Sequence, residues 1–558
     1  MKKHLLRLTA LILCLCLLLC GCEIPLPMGD LSDSIRDLRN EFLQQTGQKP
    51  VYHNPLSEED YIHYDDMEYI HPELSAIRST YDALCAAAEG EDPKAIMEAV
   101  YDFYDAYDWF YTYYYLADIR YSGDMTDTYW EAEYNHCTAI APEVDAMLED
   151  MDYVLARSPA RDKLEGRLYF GEGYFDSYDG ENTWDENFTA LLQEEAALQN
   201  SYYTLYAQAQ EAAEPGSYAF YDNYADGLTE ILVELIALRQ KIAAYYGYSD
   251  YAQFAWDMYY YRDYTPAQTE SYLDEIRQEL SPLYLRLDSG IWDAYHRYCS
   301  ETESMDYLRE MSTNMGGTVE EAFWLMEAAE LYDIRSNPNK YDSSFEMYLT
   351  CYGQPFLFVN TVRTSSDRLT LAHEFGHFCN DYASGGSYAG VDVMEVFSQG
   401  MELLSLCYVE DDHGLTKVKL ADSLCVYVEQ AAYAAFELEA YRLTGDQLTV
   451  ENLYKLYDEI TGSFGFESYW SDPRDLVTIP HFFTNPMYIV SYVVSNDAAM
   501  QLYQLELEEA GAGLARLEDQ LDTDEYYFLA FLDSAELESP FVPGRVRSVR
   551  DTFKNALF

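Results

Sequence analysis

Basic residues are scarce in this chain of 558 residues. Its 34 lysines and arginines are opposed by 99 aspartates and glutamates, which gives a formal net charge of −65 at pH 7. No basic stripe is available to neutralise phosphates, so nucleic acid is excluded as a partner. The acids are interspersed with apolar residues. We interpret them as a solvated surface, with steering of cationic peptides or adaptation to salt as alternatives.

Cysteine pairs are lacking as well. Four of the 11 cysteines lie within the first 22 residues, and the others are scattered, odd in number and free of CxxC spacings. A disulfide scaffold is therefore not expected. Most of the scattered cysteines are predicted to be small buried hydrophobic residues.

The N-terminal apolar run is too short to cross a bilayer. It extends from Leu8 to Leu19, follows Lys2 and Lys3, and ends at Leu19-Cys20-Gly21-Cys22. This pattern resembles a bacterial lipoprotein signal, in which cleavage before Cys22 leaves a diacylated cysteine. Two acyl chains are enough for a stable membrane anchor. A plain secretory signal is the alternative.

Residues 373–377 read His-Glu-Phe-Gly-His, the HExxH pattern. Histidines four residues apart share one face of an α-helix, so His373 and His377 can reach one metal ion. This arrangement suits Zn²⁺, one per chain, with a position left open for water. Glu374 is then placed to act as general base on that water. Cys379 faces away from both histidines on an ideal helix and is not expected to be a ligand.

A third ligand is expected from the helix predicted after the glycine-rich turn at 384–390. Glu395 and Glu402 lie seven residues apart in an apolar stretch. Apolar residues flank Glu395 on both sides, so it is the predicted ligand. Glu402, two turns further on the same face, is predicted to hydrogen-bond a ligand histidine. The alternative is that one or both acids face solvent.

Several segments between about residues 215 and 500 resemble the oligoendopeptidase and thimet-oligopeptidase family of zinc peptidases. The resemblance extends well beyond the pentad, and it includes the run that contains Glu395 and Glu402. The matching segments are Gly247–Tyr251, Arg262–Thr265, Pro355–Asn360, Leu369–His377, Glu395–Glu402, His481–Phe483, Pro486–Tyr488 and Tyr492.

The resemblance implies roles for further residues. Tyr492 is expected to donate a hydrogen bond to the oxyanion, and His481 and Tyr488 are expected to contact the substrate or the transition state. The alternative is that these tyrosines belong to the core, since the chain contains 56 of them. The segment with Phe358 and Asn360 resembles the edge strand of the family, whose backbone is expected to pair with the peptide substrate.

The predicted fold class is mainly α, a two-lobed helical metallopeptidase with a deep central cleft. A small β-sheet, from segments 344–349 and 356–362, is expected beside the zinc helix. The predicted divisions are a signal at 1–22, a tether at 23–60, an N-terminal helical lobe at 61–215 and a catalytic domain at 216–558.

These expectations together predict a zinc oligopeptidase. It would be a monomer that hydrolyses internal bonds of short peptides outside the cell membrane, where the lipid anchor holds it. A C-terminal dipeptidase or carboxypeptidase with the same mechanism is one alternative. A catalytically decayed peptide-binding lipoprotein is another, although an intact Glu374 argues against it because a pure binder has no use for a base beside the metal.

Overall fold

Helices dominate the part of the chain that the computed structural model describes, namely residues 61–166, 169–178, 186–386, 389–410, 414–466, 472–523 and 525–558. These residues belong to one compact unit, Leu56–Phe558. The division between a lobe at 61–215 and a domain at 216–558 therefore stays a prediction. The predicted signal, Cys22 and the tether lie outside the described residues.

The helices are numbered in chain order. Within the described residues, none has both the length and the apolar composition that a membrane crossing requires. The helices are α1 Leu74–Ala88, α2 Pro93–Gly123, α3 Thr128–Ala156, α4 Arg161–Leu164, α5 Glu186–Ala212, α6 Tyr218–Phe220, α7 Asp226–Tyr245, α8 Tyr251–Met258, α9 Pro266–Glu279, α10 Ser281–Tyr284, α11 Glu301–Met315, α12 Gly317–Ala328, α13 Asp367–Ser384, α14 Val391–Tyr408, α15 Leu415–Cys425, α16 Ala431–Ala440, α17 Val450–Ser463, α18 His481–Thr484, α19 Ile489–Glu508, α20 Ala512–Glu518, α21 Phe528–Ser534 and α22 Arg545–Leu557.

Local sequence signals set several of the helix ends. Asp92 caps α2 by accepting a hydrogen bond from the Lys94 N–H, and Pro93 occupies the first helical position, where no N–H is needed. Thr265 and Gln268 form a reciprocal capping box at the start of α9. At its other end, α13 stops at Gly385, whose φ of 69° is the left-handed conformation that glycine adopts without strain.

The sheet has three strands, β1 Tyr332–Asp333, β2 Ser344–Leu349 and β3 Gln354–Val359, in the order β1-β3-β2. β1 runs parallel to β3, and β2 runs antiparallel to it. The sheet packs against α13, as the fold-class prediction requires. The mainly helical class with a small sheet is confirmed.

The prediction that the segment around Phe358 is an edge strand is wrong. β3 is the central strand and every residue in it is buried. Phe358 is paired with Asp333 of β1 and with Phe345 of β2, so its backbone is not free to pair with a substrate. Asn360 hydrogen-bonds the backbone of Asn337 instead. The uninterrupted apolar run of β3, with no polar alternation, is typical of a strand that is covered on both faces.

The helices around the pentad pack tightly. α14 lies against α13 on one side and α19 on the other. Gly376, inside the pentad, permits the contact with α14, because a Cβ there would lie 2.4 Å from the carbonyl oxygen of Phe397. The N-terminal helices α1, α2 and α3 share a separate apolar cluster that includes Leu84, Phe103 and Val144. α2 also contacts β2, and the Thr112 hydroxyl accepts a hydrogen bond from the Cys351 N–H at 3.0 Å.

The close contact at Gly376 generates a prediction. Gly376→Ala places a methyl group against the α14 backbone, which cannot move without separating the two helices, so we expect a loss of about 1–3 kcal/mol of stability. The matched control is Gly462→Ala in α17, where nothing lies within 4 Å of the added Cβ. Urea unfolding should show a lower midpoint for the first variant and an unchanged or higher midpoint for the second. Equal midpoints would contradict the packing described here.

Candidate metal centre

The structure brings the two pentad histidines and Glu395 together. His373 and His377 lie on α13 and Glu395 lies on α14, and one ligand atom from each lies within 4.8 Å of the others. Both histidines are half-buried and Glu395 is buried. Within the described residues, this is the cluster of histidine, cysteine and carboxylate side chains with the spacing of a metal site.

The separation of these atoms fits a metal ion better than a direct bond. His373 Nε2 and Glu395 Oε2 are 3.7 Å apart, which is too long for a hydrogen bond. Ligands bound to zinc at about 2.0–2.1 Å in a tetrahedron are separated by roughly 3.3 Å. Two imidazoles and one carboxylate are also the donor set of many catalytic zinc sites. The residues present therefore fit Zn²⁺.

Glu402 lies where the sequence predicts, next to a ligand histidine. Its Oε1 is 2.9 Å from Nδ1 of His373, which leaves Nε2 of that ring directed at the centre. The other oxygen, Oε2, is 2.6 Å from Nζ of Lys419, a buried residue of α15. Lys419 also contacts Asp422 at 3.0 Å. The sequence interpretation missed Lys419, because nothing in its local pattern distinguishes it from a surface lysine.

This chain of contacts sets the charge around the histidines. Burial raises the pKa of Glu402, but Lys419 and His373 lower it by a larger amount. The net shift is downward, so the carboxylate is ionised. Burial lowers the pKa of His373, but the hydrogen bond and charge of Glu402 raise it to about 9. His377 differs: burial and the nearby His373 lower its pKa to about 3. Its buried Nδ1 has no hydrogen-bond partner within the described residues.

Glu374 points towards the sheet side of the centre. Its Oε1 accepts a hydrogen bond from the Ser344 hydroxyl at 2.6 Å. Burial raises the pKa of Glu374, against the lowering effects of His373 and Ser344. Ser344 is the first residue of β2, one of the two edge strands of the sheet. An edge strand therefore does reach the site, but it is β2 and not β3.

His481, Tyr488 and Tyr492 form a cluster of aromatic rings at the metal centre, which we call the tyrosine cluster. Their rings are 5.3 to 5.7 Å apart from centroid to centroid. Tyr488 donates its hydroxyl hydrogen to Glu395 Oε1 at 3.0 Å, whereas the Tyr492 hydroxyl lies 3.3 Å from His481 Nε2. All three are half-buried, so they are not ordinary core residues. Tyr488 thus contacts a ligand and Tyr492 does not, a distinction that the sequence left open.

A buried arginine joins the two helices that carry these groups. Arg262 contacts Asp392, the second residue of α14, with a closest approach of 3.1 Å. It also donates to the Met487 carbonyl oxygen at 3.1 Å and to the Ser491 hydroxyl at 2.9 Å. Tyr264 donates to Asp392 at 2.7 Å. The Arg262–Thr265 motif was recognised in the sequence, but its partners are more than 120 residues away and local spacing cannot predict them.

A second buried arginine holds the segment between His481 and Tyr488. Arg239 of α7 is fully buried and donates to the carbonyl oxygens of Phe482 and Phe483, while Glu195 pairs with it at 2.6 Å. Met487 has a φ of 67°, which is strained for a residue with a side chain. Its N–H is held by Glu437 at 3.0 Å. Residues of α5, α7 and α16 thus fix the geometry of the tyrosine cluster.

The comparisons with known proteins concern the overall fold and the N-terminal region. Residues 64–183 match the family model described as the Peptidase M3 N-terminal domain. One similar solved structure, assigned as an oligoendopeptidase F, has a TM-score of 0.74 and 20% identity, over 88% of this chain and 98% of that one. A second, assigned as an oligoendopeptidase F of Bacillus anthracis str. Ames, has a TM-score of 0.73 and 18% identity, again over 88% of this chain and 98% of that one. A third, PZ peptidase A with an inhibitor, has a TM-score of 0.74 and 18% identity, over the same fractions of the two chains, 88% and 98%.

No curated protein sequence matches the chain. The resemblance drawn from the motifs is nevertheless confirmed: the chain has the fold of oligoendopeptidase F structures and an N-terminal domain of the M3 type. These findings support a peptidase. The structure places the HExxH residues, Glu395, Glu402 and the tyrosine cluster together, and it places Phe358 and Asn360 in the central strand.

Glu437 provides a prediction about pH. Burial raises the pKa of Glu437 to about 8, from a usual value of 4.5. A carboxyl with a raised pKa in the folded state favours folding while it is protonated, so its contribution is lost as the pH rises through about 8. Glu437→Gln keeps an acceptor for the Met487 N–H but cannot ionise. The fall in the urea midpoint between about pH 5 and about pH 8 should therefore be smaller in this variant.

The control for this experiment is Glu508→Gln, at an exposed position of α19. It removes one charge from the same acidic protein but leaves the buried carboxyl of Glu437 in place, so it should keep the wild-type pH dependence. A Glu437→Gln profile that coincides with the control profile would contradict the burial argument.

Proposed function

We propose that this protein is a zinc-dependent oligopeptidase that hydrolyses internal bonds of short peptides outside the cell membrane. The observation that carries the proposal is that one ligand atom each from His373, His377 and Glu395 lies within 4.8 Å of the others. Glu374, the candidate base, lies on the helix of the two histidines. A general base beside a three-ligand metal site is the requirement for hydrolysis by an activated water.

The chain's own residues supply most of the mechanism. His373, His377 and Glu395 would hold Zn²⁺, whose Lewis acidity lowers the pKa of a water molecule towards 7. Glu374 takes a proton from the attacking water and later delivers it to the leaving amine. Ser344 orients one of its oxygens through the 2.6 Å hydrogen bond.

Other groups prepare the ligands. The ionised Glu402 holds the Nδ1 proton of His373, which directs Nε2 of that ring towards the metal. Lys419 keeps Glu402 ionised, which strengthens that preference. Tyr488 orients Glu395 by donating to Oε1. Oε2, which accepts a hydrogen bond from the Ser398 hydroxyl at 3.1 Å, is the oxygen that faces His373 and would bind the metal.

Tyr492 is the better candidate for the oxyanion donor. Its hydroxyl is not bonded to a ligand, and the nearby Nε2 of His481 can orient it. Burial lowers the pKa of His481, so this ring is neutral near pH 7 and can accept or donate as its tautomer requires. A donor aimed at the oxyanion contributes about 3–4 kcal/mol to the transition state.

The free edge of β2 is a suitable place for the substrate backbone. An extended peptide added beside β2 would lie next to Ser344 and therefore next to Glu374. Action on internal bonds is favoured over action at a C-terminus, which requires a fixed cation for the terminal carboxylate. Lys419 and Arg262, two buried cations beside the centre, are already paired with carboxylates. Anchoring at Cys22 would place the enzyme where it meets peptides released by other proteases.

The test uses an unstructured peptide of about ten residues and the zinc-loaded protein. Glu374→Gln should retain one zinc per chain and lose nearly all turnover, because the base is lost and the ligands remain. His377→Ala should lose the zinc as well. Metal content is measured by elemental analysis, and product lengths by mass spectrometry.

The outcomes separate the possible functions. Internal fragments support the endopeptidase, whereas the release of dipeptides or single residues from the C-terminus supports the exopeptidase alternative. Peptide binding without any cleavage by the wild type would support the decayed binder. Full turnover by Glu374→Gln would contradict the mechanism.

A further inference from the structure

A cavity of about 660 Å³ is lined in part by the segment that precedes His481 and by the end of α15, the helix that carries Lys419. Its volume is in the range of pockets that hold small ligands, about 300–1,000 Å³. We call it the aromatic cavity, because five aromatic residues line it. They come from α10, the turn at Ser289–Ala294, α16, α17 and the residues after α17: Tyr284, Trp292, Tyr433, Tyr457 and Phe466.

The aromatic cavity is close to the groups that act on the substrate. Thr478 and Ile479 line one wall, and Ile479 precedes His481 by only two residues, so their Cα atoms are at most about 7 Å apart. Cys425 also lines the cavity. It lies one helical turn after Asp422, the partner of Lys419. The cavity is therefore lined by chain segments that also carry His481 and Lys419.

The charge of the cavity has one sign. Glu429 and Asp475 line it, and no lysine or arginine is among its described lining residues. Glu429 accepts a hydrogen bond from Tyr284 at 2.9 Å, and Asp475 accepts one from Tyr221. Burial raises the pKa of both carboxyls, and no cation among the described residues offsets this effect. The nearby Arg474 is already paired with Asp472 and Asp222.

We infer that the aromatic cavity binds a basic side chain of the peptide substrate, with Glu429 as the residue that selects it. This inference rests on the proposed function. Aromatic faces attract a guanidinium or ammonium group, and the attraction grows when the group is partly removed from water. The two carboxylates supply the opposite charge, whereas an apolar side chain would leave that charge uncompensated. The acidic character of the whole chain would also steer such peptides towards the site.

The experiment compares peptides that differ only in charge. Each peptide has about ten residues and is otherwise neutral, and it carries either arginine or citrulline, its uncharged analogue, at one position that is moved along the chain. The wild type should prefer arginine by about tenfold in kcat/KM at one position relative to the cut, and not at the others. Glu429→Gln should abolish that preference, while Glu429→Asp, which retains the charge, should keep part of it.

The control is Glu508→Gln, which removes the same charge from the exposed end of α19 and should keep the preference. Folding of each variant is checked by its urea midpoint. If the wild type cuts none of the peptides, the proposed function fails. If it cuts arginine and citrulline peptides equally at every position, or if Glu429→Gln keeps the preference, the function stands and the assignment of the cavity is wrong.

Discussion

Two helices, α13 and α14, cross at Gly376 so closely that no other residue has room there, and the metal centre depends on this crossing. The histidines of α13 reach Glu395 and Glu402 only because the two backbones are in contact at Phe397. α19 packs on the other side of α14 and carries Tyr492. One backbone contact therefore sets the distances between the ligands, the groups that orient them and the tyrosine cluster.

Scarce positive charge is the second determinant of the site. The chain has only 34 basic residues against 99 acidic ones, yet three of the basic residues are buried around the centre: Lys419, Arg262 and Arg239. Each pairs with a carboxylate, which offsets part of the cost of removing both charges from water. Removal of one partner would leave a buried charge unpaired, so these pairs fix geometry more than they add stability. Lys419 positions His373 through Glu402. Arg262 holds the start of α14, and Arg239 holds the segment after His481.

The sequence was sufficient where chemistry follows local periodicity. The pentad predicts two histidines on one face, and the apolar flanks of Glu395 predict a helix packed against the first. It was insufficient where partners are distant along the chain. Arg262 and Asp392 are 130 residues apart, and Lys419 has no motif of its own. β3 was misassigned because a short apolar run shows that a strand is buried but not which strands flank it.

X-ray absorption at the zinc edge of the zinc-loaded protein tests the central claim most directly. The account predicts nitrogen and oxygen neighbours at about 2.0–2.1 Å, with outer-shell scattering from two imidazoles and no sulfur at about 2.3 Å, because the cluster of candidate ligands among the described residues contains no cysteine. His377→Ala should remove this signal, whereas His71→Ala, at the stacked pair of His71 and His136, should leave it unchanged. A sulfur neighbour, or a signal that depends on His71 and not on His377, would contradict the account.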